Sequence, residues 1–343
     1  MVLALFVLLV SLCGCSNSDS ADVNDAGDAD IDGDADTDTD TDTDADTDTE
    51  TDADADTDAD TDADTGNPAP FKGLAGNPSC ALRQALGISW FYNWTRSEKE
   101  ADACSDKSGG EFVPMIWGHE GKEQDPTSIA GFIQGFVDRG DRYVLNFNEP
   151  DSTGQANMSV DQAIFLLPAF YHPDILVTSP ATSGNAQSWT EDYMVRVEAD
   201  PDLDVDVLAI HWYGWNAGSC NATASKLENH IKWAETVADG RPIWLTEFGC
   251  LHESNPDEET VLAFFKGALE VFSRHPSVER YAWYPWTENN QLTRNFTNRQ
   301  AIRNPPASFS LERSGIMPVG LLTRNDGSLT RLGEAFAAAP PFR

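Results

Sequence analysis

Basic residues are the scarcest component of this sequence. Its 343 residues include 22 Lys and Arg against 57 Asp and Glu, giving a formal net charge of −35, and no basic residue precedes Lys72. Nucleic-acid binding requires a basic face, and polyanionic sugars are repelled by an acidic surface, so the charge disfavours both classes of ligand. The apolar run at 1–14 is also shorter than the ~20 residues with which a helix crosses a bilayer.

Several catalytic motifs are absent as well. The chain has neither the Gly-x-Ser-x-Gly elbow of serine hydrolases nor a phosphate-binding P-loop. His119 and Glu120 begin like the zinc-binding helix motif, but Glu123 stands where that motif needs its second His. Three other histidines lie alone on helix-like or loop-like segments and are expected to be solvated: His230, His252 and His275. No metal ion and no cofactor is therefore expected.

The first 67 residues are predicted to lie outside the folded domain. Residues 1–15 are typical of a signal peptide, although the usual basic start is missing. The final Leu12-Cys13-Gly14-Cys15 resembles a bacterial lipoprotein cleavage box, which predicts a lipid on Cys15 as the only membrane contact. Residues 16–67 hold 22 acidic residues and no basic one. Such a tract cannot form a core, so it is predicted to be a disordered stalk.

Residues 68–343 form the predicted folded domain. About 275 residues suffice for one large domain, and (β/α)8 barrels often have this size. Four cysteines remain here, and an even number in an exported protein predicts two disulfides. Of the three possible connectivities, Cys80 with Cys104 and Cys220 with Cys250 is favoured; four buried free thiols are the alternative.

Strand-like and helix-like segments alternate along this domain. The strand candidates lie at 72–76, 88–93, 112–117, 143–148, 176–180, 205–212, 242–247 and 280–285. The helix candidates lie at 126–139, 161–170, 192–198, 224–239, 257–275 and 332–338. Alternation of this kind indicates parallel strands joined by crossover helices. Eight such units predict a single (β/α)8 barrel, with its first two helices reduced because the first loops are short.

Two glutamates stand at the ends of predicted strands. Glu149 ends the fourth predicted strand and is followed directly by Pro150, and Glu247 ends the seventh, with Gly249 two residues further on. A barrel brings the carboxyl ends of its strands to one face, where strands four and seven lie opposite each other. Two carboxylates across a sugar are what glycoside hydrolysis needs: one protonates the leaving oxygen, and the other attacks the anomeric carbon or activates water.

Aromatic and polar residues end the other strands. They make this face of the barrel, its mouth, suitable for a neutral sugar, because apolar sugar faces stack on indole rings and sugar hydroxyls form hydrogen bonds with polar groups. Taken singly, each Trp is more often a core residue than a sugar platform. The candidates for substrate binding are Tyr92, Trp94, Trp117, Asn148, His211, Tyr213, Trp283 and Trp286.

The ordered motifs resemble glycoside hydrolase family 128. They are Ser-Trp-Phe-Tyr-Asn-Trp at 89–94, Val-Pro-Met-Ile-Trp-Gly at 113–118, Asn-Phe-Asn-Glu-Pro-Asp at 146–151, His-Trp-Tyr at 211–213, Trp-Leu-Thr-Glu-Phe-Gly at 244–249 and Tyr-Ala-Trp-Tyr at 281–284. The resemblance covers about residues 70 to 340, and it implies a retaining endo-β-1,3-glucanase. The segment at 287–318 departs from the family pattern and leaves the length of the cleft open.

The resemblance also implies roles for individual residues. It makes Glu149 the acid/base and Glu247 the nucleophile. It further implies that Asn148 binds the sugar 2-hydroxyl, that Tyr213 positions the nucleophile, and that Trp283 forms the floor of the subsite beside the cleaved bond.

Two other functions stay open from the sequence. One is a surface carbohydrate-binding protein without turnover, although pure binding does not need a carboxylate pair. The other is the same mechanism acting on β-mannan or mixed-linkage β-glucan. In each case we expect a monomeric exported bacterial protein, anchored at the outer surface or secreted, that binds no nucleic acid.

Overall fold

The computed structural model of the protein describes residues 71–99, 104, 109–119, 121–184, 186–213, 223–249, 258–284, 322–324 and 327–340. Several predictions lie outside these ranges: the signal peptide with Cys15, the acidic stalk, the Cys220–Cys250 pair, His252, Trp286 and the segment at 287–318.

Eight parallel strands form a closed barrel. They are β1 (Phe71–Ala75), β2 (Trp90–Tyr92), β3 (Glu111–Phe112), β4 (Tyr143–Val144), β5 (Leu176–Val177), β6 (Leu208–Tyr213), β7 (Ile243–Gly249) and β8 (Val278–Trp283). One sheet has the order β3-β2-β1-β8-β7-β6, and β4 pairs with β5. Parallel bridges from Met115 to Leu145 and from Thr178 to Val207 join the two sheets at both edges. The predicted α/β barrel is therefore confirmed.

Seven α-helices lie in the described ranges: α1 (Cys80–Leu86), α2 (Pro126–Arg139), α3 (Val160–Leu166), α4 (Gln187–Ala199), α5 (Ala224–Ala238), α6 (Glu258–Arg274) and α7 (Arg331–Ala338). Local chemistry sets their ends. In α2, the Asp125 carboxylate accepts from the N–H of Ser128, Pro126 starts the helix, and Gly140 ends it with a left-handed φ of 82°. None of the helices in these ranges is both long and apolar enough to span a bilayer.

The helix predictions differ from the structure at particular places. The bounds of α2 agree, whereas α4 begins five residues before the predicted segment at 192–198. The short helix α1 had no counterpart among the predicted segments. Its first residue, Cys80, forms a disulfide with Cys104 in the loop between β2 and β3. In the described part of that loop no helix is present.

Apolar side chains pack in two concentric layers. The inner cluster consists only of strand and strand-end residues, including Trp90, Tyr92, Met115, Trp244 and Tyr284. The outer layer packs the other faces of the strands against helices α1 to α7. Because side chains alternate along a strand, a residue's layer decides whether it can reach the barrel mouth.

Two buried cations hold the end of the barrel opposite the mouth. The Arg280 guanidinium lies 4.0 Å from the Trp244 ring and 4.5 Å from the Tyr143 ring, and it pairs with Glu111 at 2.7 Å. Lys72 on β1 donates from Nζ to the carbonyls of Phe336 (2.8 Å), Ala337 (3.3 Å) and Ala339 (3.0 Å). Lys72 thereby caps the C-terminus of α7 and ties the first strand to the last helix.

Candidate active site

Glu247 enters the barrel through an irregularity in β7. Leu245 and Phe248 both lie in the outer layer although three positions separate them. The ladders with β6 and β8 both change register between these two residues, with Thr246 as the extra residue on β7. Strict alternation from Leu245 would leave Glu247 in the outer layer; the bulge aims its carboxylate into the barrel instead.

Three donors hold the Glu247 carboxylate. Oε1 accepts from the Tyr92 hydroxyl at 2.9 Å and from the Trp94 indole N–H at 2.8 Å, and Oε2 accepts from the Tyr213 hydroxyl. Burial raises the pKa of both tyrosines well above the usual value, and the negative charge of Glu247 raises it further. Both hydroxyls therefore stay protonated and keep Glu247, which is 5% exposed, in one orientation.

Glu149 sits on a strained turn after β4. Its φ is 44°, in the left-handed region that costs a non-glycine residue about 1–2 kcal/mol. Its N–H donates to the Ala181 carbonyl at 2.7 Å, and its carbonyl accepts from the Ser152 N–H at 3.0 Å. Trp94 has the same unusual conformation, with a φ of 58°. Strain of this kind concentrates at functional sites, where surrounding contacts impose it.

His211 lies between the two glutamates. Its Nδ1 is 3.2 Å from Glu149 Oε1, and its Nε2 is 3.7 Å from Glu247 Oε1. Burial lowers the pKa of this histidine, but the charge of Glu247, the hydrogen bond to Glu149 and the charge of Asp151 outweigh burial, so the pKa is raised above its ordinary value. His211 thus links the two carboxylates across the mouth.

The loop after Glu149 is fixed to its neighbours. The Asp151 carboxylate accepts from the N–H of Ser183 at 2.9 Å and also from the Ser183 hydroxyl. Asn148 donates from Nδ2 to Gln155 at 3.3 Å, and its buried Oδ1 has no partner among the described residues. That free oxygen next to Glu149 can accept from a ligand hydroxyl.

The aromatic candidates divide between the mouth and the core. Tyr92 and Trp94 line the mouth through their bonds to Glu247. Half-buried Trp117 stacks on His119 with ring centroids 3.7 Å apart, and Glu123 fixes this loop by accepting from the N–H groups of Gly118 (3.1 Å) and His119 (2.9 Å).

Trp283 does not face the mouth. It is 0% exposed and packs in the outer layer against Phe248, Phe264 and Phe265. The predicted role of Trp283 as the floor of a subsite therefore has no support in its position. Side chains alternate along β8, so Tyr281 and Trp283 face the helices while Ala282 and Tyr284 face into the barrel.

Tyr284 occupies the inward position instead. Its ring packs edge-on against Trp94 at 5.2 Å. Burial raises the pKa of Tyr284, and the charges of Glu247 and Glu149 raise it further, so its hydroxyl stays protonated. Ala282 and Tyr284 are two positions apart on one strand and both belong to the inner cluster. Alternation along the strand could therefore have predicted from the sequence that Tyr284 faces inward with Ala282.

Glu149, His211 and Glu247 are also spaced as metal ligands can be. One donor atom from each lies within 4.8 Å of the other two. Both oxygens of Glu247 are already bound by tyrosine and indole donors, and the indole N–H of Trp94 cannot serve a cation. This set of contacts fits a carboxylate prepared to attack carbon better than a metal ligand.

The expectation that His230 and His275 are solvated is wrong. His230 is buried on the inner face of α5, and burial lowers its pKa to about 4. His275 is buried beside Glu235, with Nδ1 2.9 Å from the carboxylate, and beside Glu228 at 3.5 Å. The sequence alone did not reveal that neighbouring elements cover both histidine side chains.

Comparisons with known proteins agree with this geometry. A family model described as glycosyl hydrolase catalytic core matches residues 75–336. The curated relative "Alkali-sensitive linkage protein 1" of Schizosaccharomyces pombe is 30% identical over 214 residues, which are 59% of this chain and 35% of that protein. The chain thus spans about a third of the length of this relative.

Solved structures with a similar fold include β-1,3-glucanases of glycoside hydrolase family 128. A subgroup II endo-enzyme from Sorangium cellulosum has a TM-score of 0.59 and 26% identity, over 79% of this chain and 98% of that one. A subgroup I endo-enzyme from Amycolatopsis mediterranei, in complex with laminarihexaose, has a TM-score of 0.58 and 25% identity, over 79% and 99%. A subgroup III curdlan-specific exo-enzyme from Blastomyces gilchristii has a TM-score of 0.54 and 25% identity, over 78% and 97%.

Proposed function

The chain belongs to the glycosyl hydrolase catalytic core family, and from this premise we propose that it is a retaining endo-β-1,3-glucanase. The predicted resemblance to glycoside hydrolase family 128 is confirmed, and the protein is a glycoside hydrolase. The observation that carries the finer proposal is the pair Glu149 and Glu247, whose nearest oxygens lie within 4.8 Å of each other while three donors hold Glu247.

The spacing of the two carboxylates favours retention of configuration. Retaining pairs are about 5–5.5 Å apart, whereas inverting pairs are about 6.5–9.5 Å apart to leave room for a water. In the proposed first step, Glu247 attacks the anomeric carbon and Glu149 gives its proton to the leaving oxygen. In the second step, Glu149 takes a proton from water, and this water displaces Glu247 from the same carbon.

The proposed substrate is a neutral β-1,3-glucan. The similar solved enzymes act on β-1,3-glucans, and several were captured with laminari-oligosaccharides. In this chain, Tyr92, Trp94 and Tyr284 form an aromatic wall beside Glu247. The free Oδ1 of Asn148 supplies an acceptor for a sugar hydroxyl next to the acid.

A hydrolysis panel tests the substrate. Curdlan, laminarin, lichenan, cellulose and β-mannan are incubated with the protein, and products are sized over time. We expect mixed short oligosaccharides from the β-1,3-glucans. Activity confined to mannan or lichenan would overturn the β-1,3 assignment and keep the mechanism, while release of glucose alone would indicate exo action. The configuration of the first product, followed by NMR, decides retention.

One variant distinguishes the proposed enzyme from a non-catalytic sugar-binding protein. Glu247→Ala removes the proposed nucleophile from a site that other residues build, so turnover should vanish while oligosaccharide binding remains. Added azide should restore part of the rate as an external nucleophile. Wild-type protein that binds laminarin but releases no reducing ends would establish the binding alternative.

Export and lipid attachment at Cys15 are further proposals, supported by the apolar run and the cysteine box at residues 1–15. A monomeric state is a separate proposal. In a bacterial host, the full-length chain should fractionate with membranes and incorporate labelled fatty acid. Cys15→Ala should abolish the label. A soluble, unlabelled wild-type product would remove the anchor, and sedimentation of the domain starting at Pro68 tests the monomer.

A further inference from the structure

An open cavity of about 560 Å³ lies at the surface, next to the loop that follows the proposed acid. Its wall begins at Pro150 and Asp151, the two residues that follow Glu149, and continues through Asn157, Trp189, Asp192 and Arg196. Its volume is in the range of small-molecule sites, which are commonly about 300–1,000 Å³. None of the roles assigned above uses this cavity.

Trp189 gives the cavity a fixed aromatic wall. Its indole N–H donates to the Met158 carbonyl at 3.1 Å, and its ring stacks on the buried Tyr193 with centroids 5.5 Å apart and planes inclined by 12°. One face and the polar edge of this half-buried indole are therefore occupied. Such a ring loses little freedom when a ligand stacks on its remaining surface.

The polar groups of the cavity are also held in place. Arg196 donates to Asp192 at 3.0 Å from Nε and 2.9 Å from Nη2, and it pairs with Asp161 as well. The wall holds three carboxylates, those of Asp151, Asp161 and Asp192, against the one guanidinium of Arg196, so it is net acidic and presents fixed acceptors. Asn157 is exposed, has a φ of 47°, and its side-chain amide has no hydrogen bond among the described residues. These groups can bind the hydroxyl groups of a neutral sugar, and their net charge disfavours an anion.

The cavity wall and the catalytic acid share one compact loop. The Ala156 N–H donates to the Asn148 carbonyl at 3.2 Å, and the Met158 N–H donates to the Pro150 carbonyl at 2.8 Å. These bonds close the loop between Asn148 and Met158, which carries Glu149 at its start and Asn157 near its end. A ligand in the cavity therefore sits on the same rigid unit as the acid.

We infer that this cavity is a distal subsite that binds glucosyl units of the β-glucan chain on the leaving-group side. The inference rests on the proposed function, in which Glu149 protonates the oxygen of the leaving group. The leaving part of the glucan must pass next to Glu149, and the wall of the cavity begins at Pro150, the next residue of the protein. A chain long enough to reach Trp189 gains a stacking contact that a short oligosaccharide cannot make.

A ladder of β-1,3-gluco-oligosaccharides of increasing length tests the site. For the wild type, kcat/KM should rise with chain length until the cavity is filled. Trp189→Ala should flatten this rise, with a loss of about fivefold to tenfold for the longest substrates and no change for laminaritriose. Trp189→Phe, which keeps a ring on Tyr193, should retain most of the rise.

Two further variants separate the site from a folding defect. Asn157→Gly removes the free amide and tolerates the left-handed backbone, so it should lower activity on long chains only. Trp233→Ala is the matched control, because Trp233 is another half-buried tryptophan whose N–H donates a hydrogen bond, to Glu191 at 2.7 Å; it should leave the length profile unchanged.

The outcomes are distinct. The distal subsite is overturned if Trp189→Ala lowers kcat/KM equally at every oligosaccharide length. It is also overturned if neither Trp189→Ala nor Asn157→Gly lowers kcat/KM at any length. A wild type that cleaves no member of the ladder overturns the proposed function instead.

Discussion

The three donors on Glu247 allow a quantitative prediction for Tyr213→Phe. This substitution removes the only hydroxyl that is bound to Oε2 in the described part of the molecule and leaves Tyr92 and Trp94 on Oε1. A hydrogen bond to a charged group contributes about 1.5–3 kcal/mol, and about 1.4 kcal/mol is a factor of ten in rate. Because Oε1 keeps both donors, we expect a loss near the lower limit, about 10- to 30-fold.

The loss should appear mainly in kcat. Tyr213 orients the attacking carboxylate, so its hydroxyl matters most when the carbon–oxygen bond forms. Reducing-end release from laminarin gives kcat and KM, and the rate of inactivation by a 2-fluoro glycoside isolates the attack step. Urea unfolding checks that the variant has kept its stability.

Tyr281→Phe is the matched control for this prediction. Tyr281 is another buried tyrosine, on β8, but it faces the outer layer, and its hydroxyl has no partner among the described residues. Removing that hydroxyl should leave both kcat and KM unchanged. A Tyr213→Phe enzyme within twofold of the wild type, or a similar loss in both variants, would refute the positioning role.

Three other predictions concern stability and proton transfer. Lys72→Met should lower the free energy of unfolding in urea by about 3 kcal/mol, because two buried carbonyls and one part-buried carbonyl at the end of α7 lose their donor; a change below 1 kcal/mol would contradict the capping role. Burial lowers the pKa of His230 to about 4 from an ordinary value of 6.5, so the unfolded chain takes up a proton in this window and stability falls as pH drops from 6.5 towards 4. In His230→Gln, the free energy of unfolding should fall by about 3 kcal/mol less over this pH window; a fall as large as that of the wild type would rule out the buried neutral histidine as its source. Glu149→Gln should slow substrates with poor leaving groups far more than activated aryl glycosides; equal slowing of both would remove the acid role.

The existence and the order of the strands could be predicted from sequence because they depend on local patterns, although β2 to β5 are shorter than predicted. Short β-branched and aromatic runs alternate with amphipathic helices. Pro150 follows Glu149 directly, whereas β7 continues past Glu247 to Gly249. The signals for α2 are also local: Asp125 and Pro126 at its start and Gly140 at its end. Such signals need no knowledge of neighbouring strands.

The orientation of side chains could not be predicted in the same way. The extra residue at Thr246 follows from the ladders of β7 with two partners that are distant in sequence. The inward face of β8, which selects Tyr284 over Trp283, likewise depends on how the whole barrel closes. The burial of His230 and His275 depends on packing between α4, α5 and α6. These features are tertiary, and a single sequence does not carry them.

The bulge at Thr246 bears on how the sequences of such barrels are to be aligned. The ladder with β6 pairs Leu245 and Glu247 with successive residues and leaves Thr246 without a counterpart. Deleting Thr246 would therefore leave Leu245, Glu247 and Phe248 in ordinary alternation, with the carboxylate still facing into the barrel. A related barrel can carry one residue fewer at this point and keep its nucleophile in place. An alignment of such sequences needs a one-residue gap in the middle of β7, because without it the nucleophile of one protein is matched to an outward-facing residue of the other.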